Sequence, residues 1–189
     1  MQATSPRSHR HEVRLIGGQW KRSKLPVADR PGLRPTPDRV RETLFNWLGQ
    51  DLSGWRCLDA FAGSGALGLE AASRGAERVL LIEKDAGIAA QLRAVAKRLR
   101  ADDVEVACAD AVEILKQSPP GSYDLVFLDP PYGSGQLQAA LEATTALVRN
   151  GGYTDVEDDQ ALSVPSGWTL FRQGRAGAVF FHLLRREEA

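Results

Sequence analysis

The tetrapeptide Asp129-Pro130-Pro131-Tyr132 sets a carboxylate, a stiff backbone and an aromatic ring side by side. It follows Tyr123 to Leu128, an apolar run that reads as a buried strand. Neither proline has an N–H to give to a sheet ladder, so the strand must stop there. In open α/β sheets the C-terminal edge of such a strand is where ligands bind. The Asp129 carboxylate and the Pro130 carbonyl can both accept hydrogen bonds from a planar exocyclic –NH2, while Tyr132 stacks on the ring that carries it. The lesser alternative for Tyr132 is a lid over a cofactor pocket. The chemistry that suits this group is transfer to an amine whose lone pair is delocalised into its ring.

A second cluster lies upstream. Gly63-x-Gly65-x-x-Gly68 fits the fingerprint of a nucleotide-binding turn, with Glu83 twenty residues after Gly63. Glycines let the backbone approach a ligand closely, and Glu83 can accept both hydroxyls of a ribose. An NAD site would hold a pyrophosphate on the helix N-terminus. Here Asp59, four residues before Gly63, would repel a pyrophosphate and attract an amino group. Asp110-Ala111 can contact an adenine edge, or Asp110 can cap the helix that follows; both roles are compatible. His9, His11 and His182 are scattered and give no metal site.

These residues need elements to position them. Arg56 to Phe61, Val79 to Ile82 ending at Glu83, Val104 to Cys108, Tyr123 to Leu128 and Tyr153 to Glu157 read as strands. Helices are expected from the glycine turn through Ala72, from Ala86 to about Arg100, through Leu115, and from Leu137 to Val148, the last ended by Asn150-Gly151-Gly152. Trp168 to Arg172 and Ala178 to Leu184 read as a closing strand pair joined through Gly174 and Gly177. Strands alternating with helices predict an α/β fold, a doubly wound, mostly parallel sheet of seven strands. Asp59, Glu83, Asp110 and Asp129 then stand at the ends of four successive strands. Ahead of this lies an extension. Val13 to Ile16, Gly17-Gly18 and Gln19 to Arg22 read as a hairpin with a Gly-Gly turn. It would set Arg14, Lys21 and Arg22 beside Trp20, an arrangement that suits phosphates and a stacked base; Trp20 packing on the body is an equal alternative. Residues 26–35 form a loop, and Thr36 is the expected N-cap of a helix with Pro37 in its first turn. That helix would bury Val40, Leu44, Trp47 and Leu48 and expose Arg39 and Glu42.

Composition bounds the function without deciding it. The 189 residues make one domain with a small extension: a disordered basic tail at 1–11, a hairpin and helix at 12–50, and a main domain at 51–189. The formal net charge of zero hides a polarity, since residues 1–41 hold ten Lys/Arg against three Asp/Glu. A basic end on an acidic body points to a polyanionic partner, although a solvated arginine-rich tail would read the same way. Cys57 and Cys108 fall in strand-like runs and are expected as core thiols in a reducing compartment. No apolar run reaches the roughly 20 residues of a membrane span and no signal peptide is visible, so a cytoplasmic location is expected.

In this order the strand-end residues resemble the S-adenosylmethionine-dependent amino-methyltransferases, over residues 55 to about 157. Arg14-Leu-Ile-Gly-Gly-Gln-Trp20, Gly32-Leu-Arg-Pro-Thr36 and Asp38-Arg-Val-Arg-Glu-Thr-Leu-Phe-Asn-Trp47, with Phe61-Ala-Gly-Ser-Gly-Ala-Leu-Gly-Leu-Glu70, narrow this further. These segments are similar to the bacterial small-subunit ribosomal RNA guanine-N2 methyltransferases of the RsmD type. The resemblance implies a Rossmann-like class I methyltransferase fold and S-adenosylmethionine as cofactor. It implies binding of that cofactor by Asp59, Phe61, Gly63, Ser64, Gly65, Glu83, Lys84, Asp110 and Ala111. Catalysis would fall to Asp129, Pro130, Pro131 and Tyr132, and RNA contacts to Arg14, Trp20, Lys21, Arg22, Arg34 and Arg39. The implied partner is 16S rRNA, in the small subunit or an assembly intermediate, bound by a monomer. The segment Tyr153-Thr-Asp155-Val-Glu157 departs from the family pattern, with a charge where an apolar residue is expected. The competing readings are an adenine-N6 or glutamine-amide methyltransferase, an NAD-dependent oxidoreductase, and a non-catalytic RNA-binding module with a degenerate cofactor site.

Overall fold

The computed structural model describes residues 12–28, 36–160 and 162–188. The expected tail at 1–11 and the expected loop from residue 29 onward, with Arg34, lie outside them. The chain runs β1 (Glu12–Arg14), β2 (Lys24–Pro26), α1 (Asp38–Leu48), β3 (Arg56–Asp59), α2 (Ala66–Ser73), β4 (Arg78–Glu83), α3 (Ala86–Leu99), β5 (Val104–Cys108) and α4 (Ala111–Gln117). It continues through β6 (Tyr123–Leu128), α5 (Gln136–Leu147), β7 (Val148–Asp158), β8 (Trp168–Ala176) and β9 (Val179–Arg186). The main sheet has seven strands in the order β5-β4-β3-β6-β7-β9-β8. Strands β3 to β7 are parallel, and β9 runs antiparallel between β7 and β8. The expected doubly wound, mostly parallel α/β sheet is therefore present. Its strand order reverses between β3 and β6, the switch point at which such sheets open a crevice for ligands.

Both faces of the sheet are covered, which is why the central strands are apolar on both sides. One face packs Cys57, Leu81, Leu125 and Phe127 against Leu44 and Phe45 of α1, Leu69 of α2 and Leu92 of α3. The other packs Leu58, Ile82, Val126 and Leu184 against Leu115 of α4 and Leu141 of α5. Helix α1 and the hairpin residues Leu15 and Leu25 share the first cluster, so the N-terminal extension and the sheet have a common core.

Four local expectations are corrected. The hairpin pairs β1 with Lys24–Pro26, not with residues 19–22. Gly17 and Gly18 make a close approach instead of a tight turn: a Cβ on Gly18 would lie 1.8 Å from the Ser73 carbonyl oxygen, and one on Gly17 2.3 Å from the Arg74 guanidinium. Gln19 and Trp20 donate their backbone N–H groups to the Ser73 carbonyl and hydroxyl, at 2.8 and 2.9 Å. Second, Pro37 holds the N-cap position of α1, and the Thr36 side chain does not cap it. Third, Asn150-Gly151-Gly152 does not end α5. The helix gives way directly to β7 at Val148, and these residues form an irregularity in the strand, with Gly151 at φ 74°. Gly152 permits it, because a Cβ there would meet the Asp124 carbonyl at 2.9 Å. Fourth, Cys108 is exposed, since β5 is an edge strand, whereas Cys57 is buried in the centre. The closing strands are also longer than expected. Gly174 lies inside β8, where any side chain would strike the Phe181 ring, and the turn falls at Gly177.

Candidate active site

One cavity of about 630 Å³ opens along the C-terminal ends of β3, β4, β5 and β6, a size typical of small-molecule sites. The structure brings nearly all of the expected cofactor and catalytic residues to its wall. Asp59, Phe61, Gly63 and Ser64 come from the β3–α2 turn. Glu83 and Lys84 come from the end of β4, and Asp110 and Ala111 from the end of β5. Asp129, Pro130, Pro131 and Tyr132 come from the end of β6. Gly65 is the exception. It caps α2 in the left-handed conformation and points into the core, where a Cβ would lie 2.8 Å from Leu92. Gly68 likewise serves packing, because a Cβ there would lie 2.2 Å from Leu81.

The turn is held by its own carboxylates. Asp59 accepts the Gly68 N–H at 2.9 Å, which satisfies a first-turn donor of α2 in place of a side-chain cap. Burial pushes its carboxyl up to about 7, the Gly68 bond opposing and the charge of Asp129 adding to the rise. Glu83 accepts the Gly63 N–H at 3.1 Å and the Asp85 N–H at 2.8 Å, each through a different oxygen, so it fixes the turn that it faces. Each oxygen keeps a further lone pair for a ligand hydroxyl. Asp110 caps α4 through the N–H groups of Val112 and Glu113, and its second oxygen accepts Lys84 Nζ at 3.2 Å.

Asp129 is enclosed, though part of its residue surface faces the cavity. Thr36 donates its hydroxyl to Asp129 Oδ2 at 3.1 Å. Burial lifts this carboxyl to about 6 against the lowering effect of that bond. Sequence reading gave Thr36 a capping role; no local signal marks a contact between residues 93 positions apart. Thr36 is itself placed by Arg41, a fully buried cation that reaches the Thr36 carbonyl at 3.4 Å and the Arg14 carbonyl at 2.9 Å. Arg41 pairs with Asp38 at 2.6 Å and with buried Glu70 at 3.4 Å. Glu70 also accepts the Ile16 N–H at 2.9 Å and Arg74 Nε at 2.9 Å. Arg41 thus belongs to the core and not to a free basic surface.

Two further carboxyls stand on β7. The register sets Asp155 opposite Phe127, which itself lies opposite Asp59, and side chains two residues apart share a face. Asp155 and Glu157 therefore lie on the face of Asp59 and Asp129. Asp155 is fully buried and neither of its oxygens has a partner among the described residues. Burial first, then the charges of Asp129 and Asp59, hold it well above the usual carboxylate range. Glu157 lines the cavity, and its position at a strand end is a signal that sequence reading could have used. Tyr132 is 44% exposed at the mouth, and burial of part of its ring followed by the charge of Asp129 raises its hydroxyl to about 12. Val27, Thr36 and Pro37 also line the cavity, so the N-terminal extension frames one side. Arg14, Lys21, Arg22 and Arg39 are exposed, while Trp20 is half-buried against the core.

Comparison with known proteins places this arrangement. The family described as conserved hypothetical protein 95 matches residues 13–185, nearly the whole chain. The chain belongs to this family. Within it, the chain is 44% identical to the ribosomal RNA small subunit methyltransferase D of Escherichia coli strain K12, covering 93% of this chain and 91% of that protein. It is 41% identical to the protein of the same name from Haemophilus influenzae, over 91% and 93%. The solved structure of yhhF from Escherichia coli superposes with a TM-score of 0.85 at 41% identity, covering 95% of this chain and all of that one. The family match includes the hairpin, α1 and every cavity residue named above.

Proposed function

We propose that the chain transfers a methyl group from S-adenosylmethionine to the exocyclic N2 amine of a guanine in small-subunit ribosomal RNA. The observation that carries this reading is Asp129-Pro130 at the switch point, facing the same cavity as Glu83 and Asp110. The names of the relatives at 44% and 41% identity support the substrate class. The cavity fits the cofactor chemically. Glu83 offers acceptors to a ribose, Asp110 and Lys84 flank an adenine position, and Asp59 offers a carboxylate to an amino group. When bound, the cofactor supplies an electrophilic methyl group on a sulfonium sulfur.

The chain's own groups then act on the amine. Its two N–H groups donate to the Asp129 carboxylate and the Pro130 carbonyl, which turns the nitrogen lone pair away from the base plane and toward the methyl group. Stiff prolines and the Thr36 bond hold these acceptors ready, so orientation and fixed dipoles carry most of the effect. Transfer leaves a methylated ammonium, a strong acid, whose proton passes to Asp129 and on to water. The base must leave its stack to reach the cavity, and Tyr132, exposed at the mouth, is placed to hold it. Residues 12–50 are the RNA-binding part through Arg14, Lys21, Arg22 and Arg39. The enzyme works as a cytoplasmic monomer on the small subunit or an assembly intermediate; among the described residues no helix is long and apolar enough to cross a membrane.

The test is incubation with labelled S-adenosylmethionine and unmodified small ribosomal subunits, then digestion to nucleosides. Label in N2-methylguanosine is expected. Label in N6-methyladenosine would overturn the base assignment and keep the mechanism.

A further inference from the structure

We infer that Glu157 reads the base, accepting the N1–H of the flipped guanine and so admitting guanine while rejecting purines without that proton. This rests on the function proposed above. On the Watson–Crick edge of guanine the N2 amine and N1–H are adjacent donors. A site that holds the amine on Asp129 and Pro130 must meet N1–H with another acceptor or leave it buried without one. The sheet supplies a group in the right place. Leu128 pairs with Val156, so Asp129 and Glu157 are the next residues out along two neighbouring parallel strands. Both line the same cavity. Glu157 is 2% exposed, and its Oε1 has no hydrogen-bond partner among the described residues.

A buried oxygen without a partner costs stability, so its retention in a cavity wall calls for a ligand that completes it. Burial, then the charges of Asp129 and Asp155, raise the Glu157 carboxyl well above its ordinary value, the Thr36 hydroxyl opposing. Either protonation state keeps an oxygen lone pair to receive N1–H. Adenine presents a bare acceptor nitrogen beside its amine, which would face the Glu157 oxygen lone pair to lone pair. The same contact explains why the acid sits on β7 beside the tetrapeptide rather than among the cofactor-facing residues of β3 to β5.

The experiment compares two RNA substrates, one with guanine at the target position and one with 2-aminopurine, which keeps the N2 amine and lacks the N1 proton. Relative kcat/KM is measured for the native protein, Glu157→Ala and Glu157→Gln, with S-adenosylmethionine affinity measured alongside. The native protein should favour guanine by on the order of tenfold, because the analogue leaves the buried Glu157 oxygen without a donor. In Glu157→Ala the preference should fall toward one, and Glu157→Gln, which keeps a carbonyl, should hold part of it. Because the ratio is taken within each variant, a reduced folded fraction cancels. An unchanged ratio in both variants overturns the inference, as does loss of cofactor affinity in step with activity. Failure of the native protein to form N2-methylguanosine would instead overturn the proposed function, and this inference with it.

Discussion

At the scale of single residues, Asp129 is the group on which the proposed chemistry turns. Asp129→Ala should reduce turnover by at least a hundredfold, the order of effect seen when one placed transition-state group is removed. Cofactor affinity should change little, because the residues proposed to hold the cofactor line the cavity from β3 to β5. Equal loss of both would recast Asp129 as a cofactor residue. Its carboxyl, raised to about 6, must be ionised to accept both an N–H and later a proton. Asp59, raised to about 7, must be ionised to attract an amino group. The value of kcat/KM for the methyl donor, which reports the free enzyme, should therefore climb as pH rises from about 6 to about 7; a flat profile there would count against both roles. Asp155 differs in that neither of its oxygens has a hydrogen-bond partner among the described residues. Raised well above 3.8, it keeps its proton when folded and releases it when unfolded, so the unfolded chain gains as pH rises above that value. Asp155→Leu, close in shape, should stabilise the fold, and the gain should grow by about 1.4 kcal/mol per pH unit until the folded carboxyl ionises. Urea unfolding at acid and neutral pH would show this; a gain independent of pH would mean that Asp155 is not buried in its neutral form.

At the scale of elements, local signals were legible and distant ones were not. The strand ends carrying Asp59, Glu83, Asp110 and Asp129 could be read because each lies in a short apolar run cut off by glycine, proline or a helix cap. The Gly17-Gly18 pair could not be resolved by local rules, since a glycine pair serves a tight turn and a close contact equally well, and only the presence of Ser73 decides between them. Asn150-Gly151-Gly152 fails in the same way, reading as a helix stop when it is a bend within β7. Nor does sequence show that Arg41, one charge in a basic segment, is the buried anchor of α1. That anchor is testable. Glu70→Ala would leave the Arg41 and Arg74 guanidinium groups without their shared carboxylate in a dry setting. Breaking a buried pair in this way typically costs about 3–5 kcal/mol. Denaturant unfolding should register a loss of that order, and Glu70→Gln, which keeps its acceptor oxygen, a smaller one. A loss below about 1 kcal/mol would mean that α1 is held by its apolar face alone.

At the scale of the whole molecule, a protein of zero net charge is proposed to bind a polyanion, which requires its charge to be unevenly distributed. The structure removes part of the apparent basic excess from the surface, because Arg41 is buried; Lys24 stays exposed but is paired with Glu12 at 2.8 Å. Besides Lys24, the described extension leaves Arg14, Lys21, Arg22 and Arg39 exposed, on the same extension whose Val27, Thr36 and Pro37 frame the cavity. RNA held there would enter with its backbone on the hairpin and its base toward Asp129. Each phosphate neutralised releases counterions and contributes about 0.7 to 0.9 to the slope of log affinity against log salt. Reversing Arg14, Lys21 and Arg22 to glutamate should weaken binding of the small-subunit RNA severalfold or more at low salt and flatten that slope by about 2 to 3. These side chains project from the core, so the unfolding midpoint should stay nearly fixed, which separates a binding defect from a folding one. Unchanged affinity and slope would remove the hairpin from the RNA path and leave Arg39 of α1, exposed two residues after the cavity-lining Pro37, as the extension's remaining candidate contact.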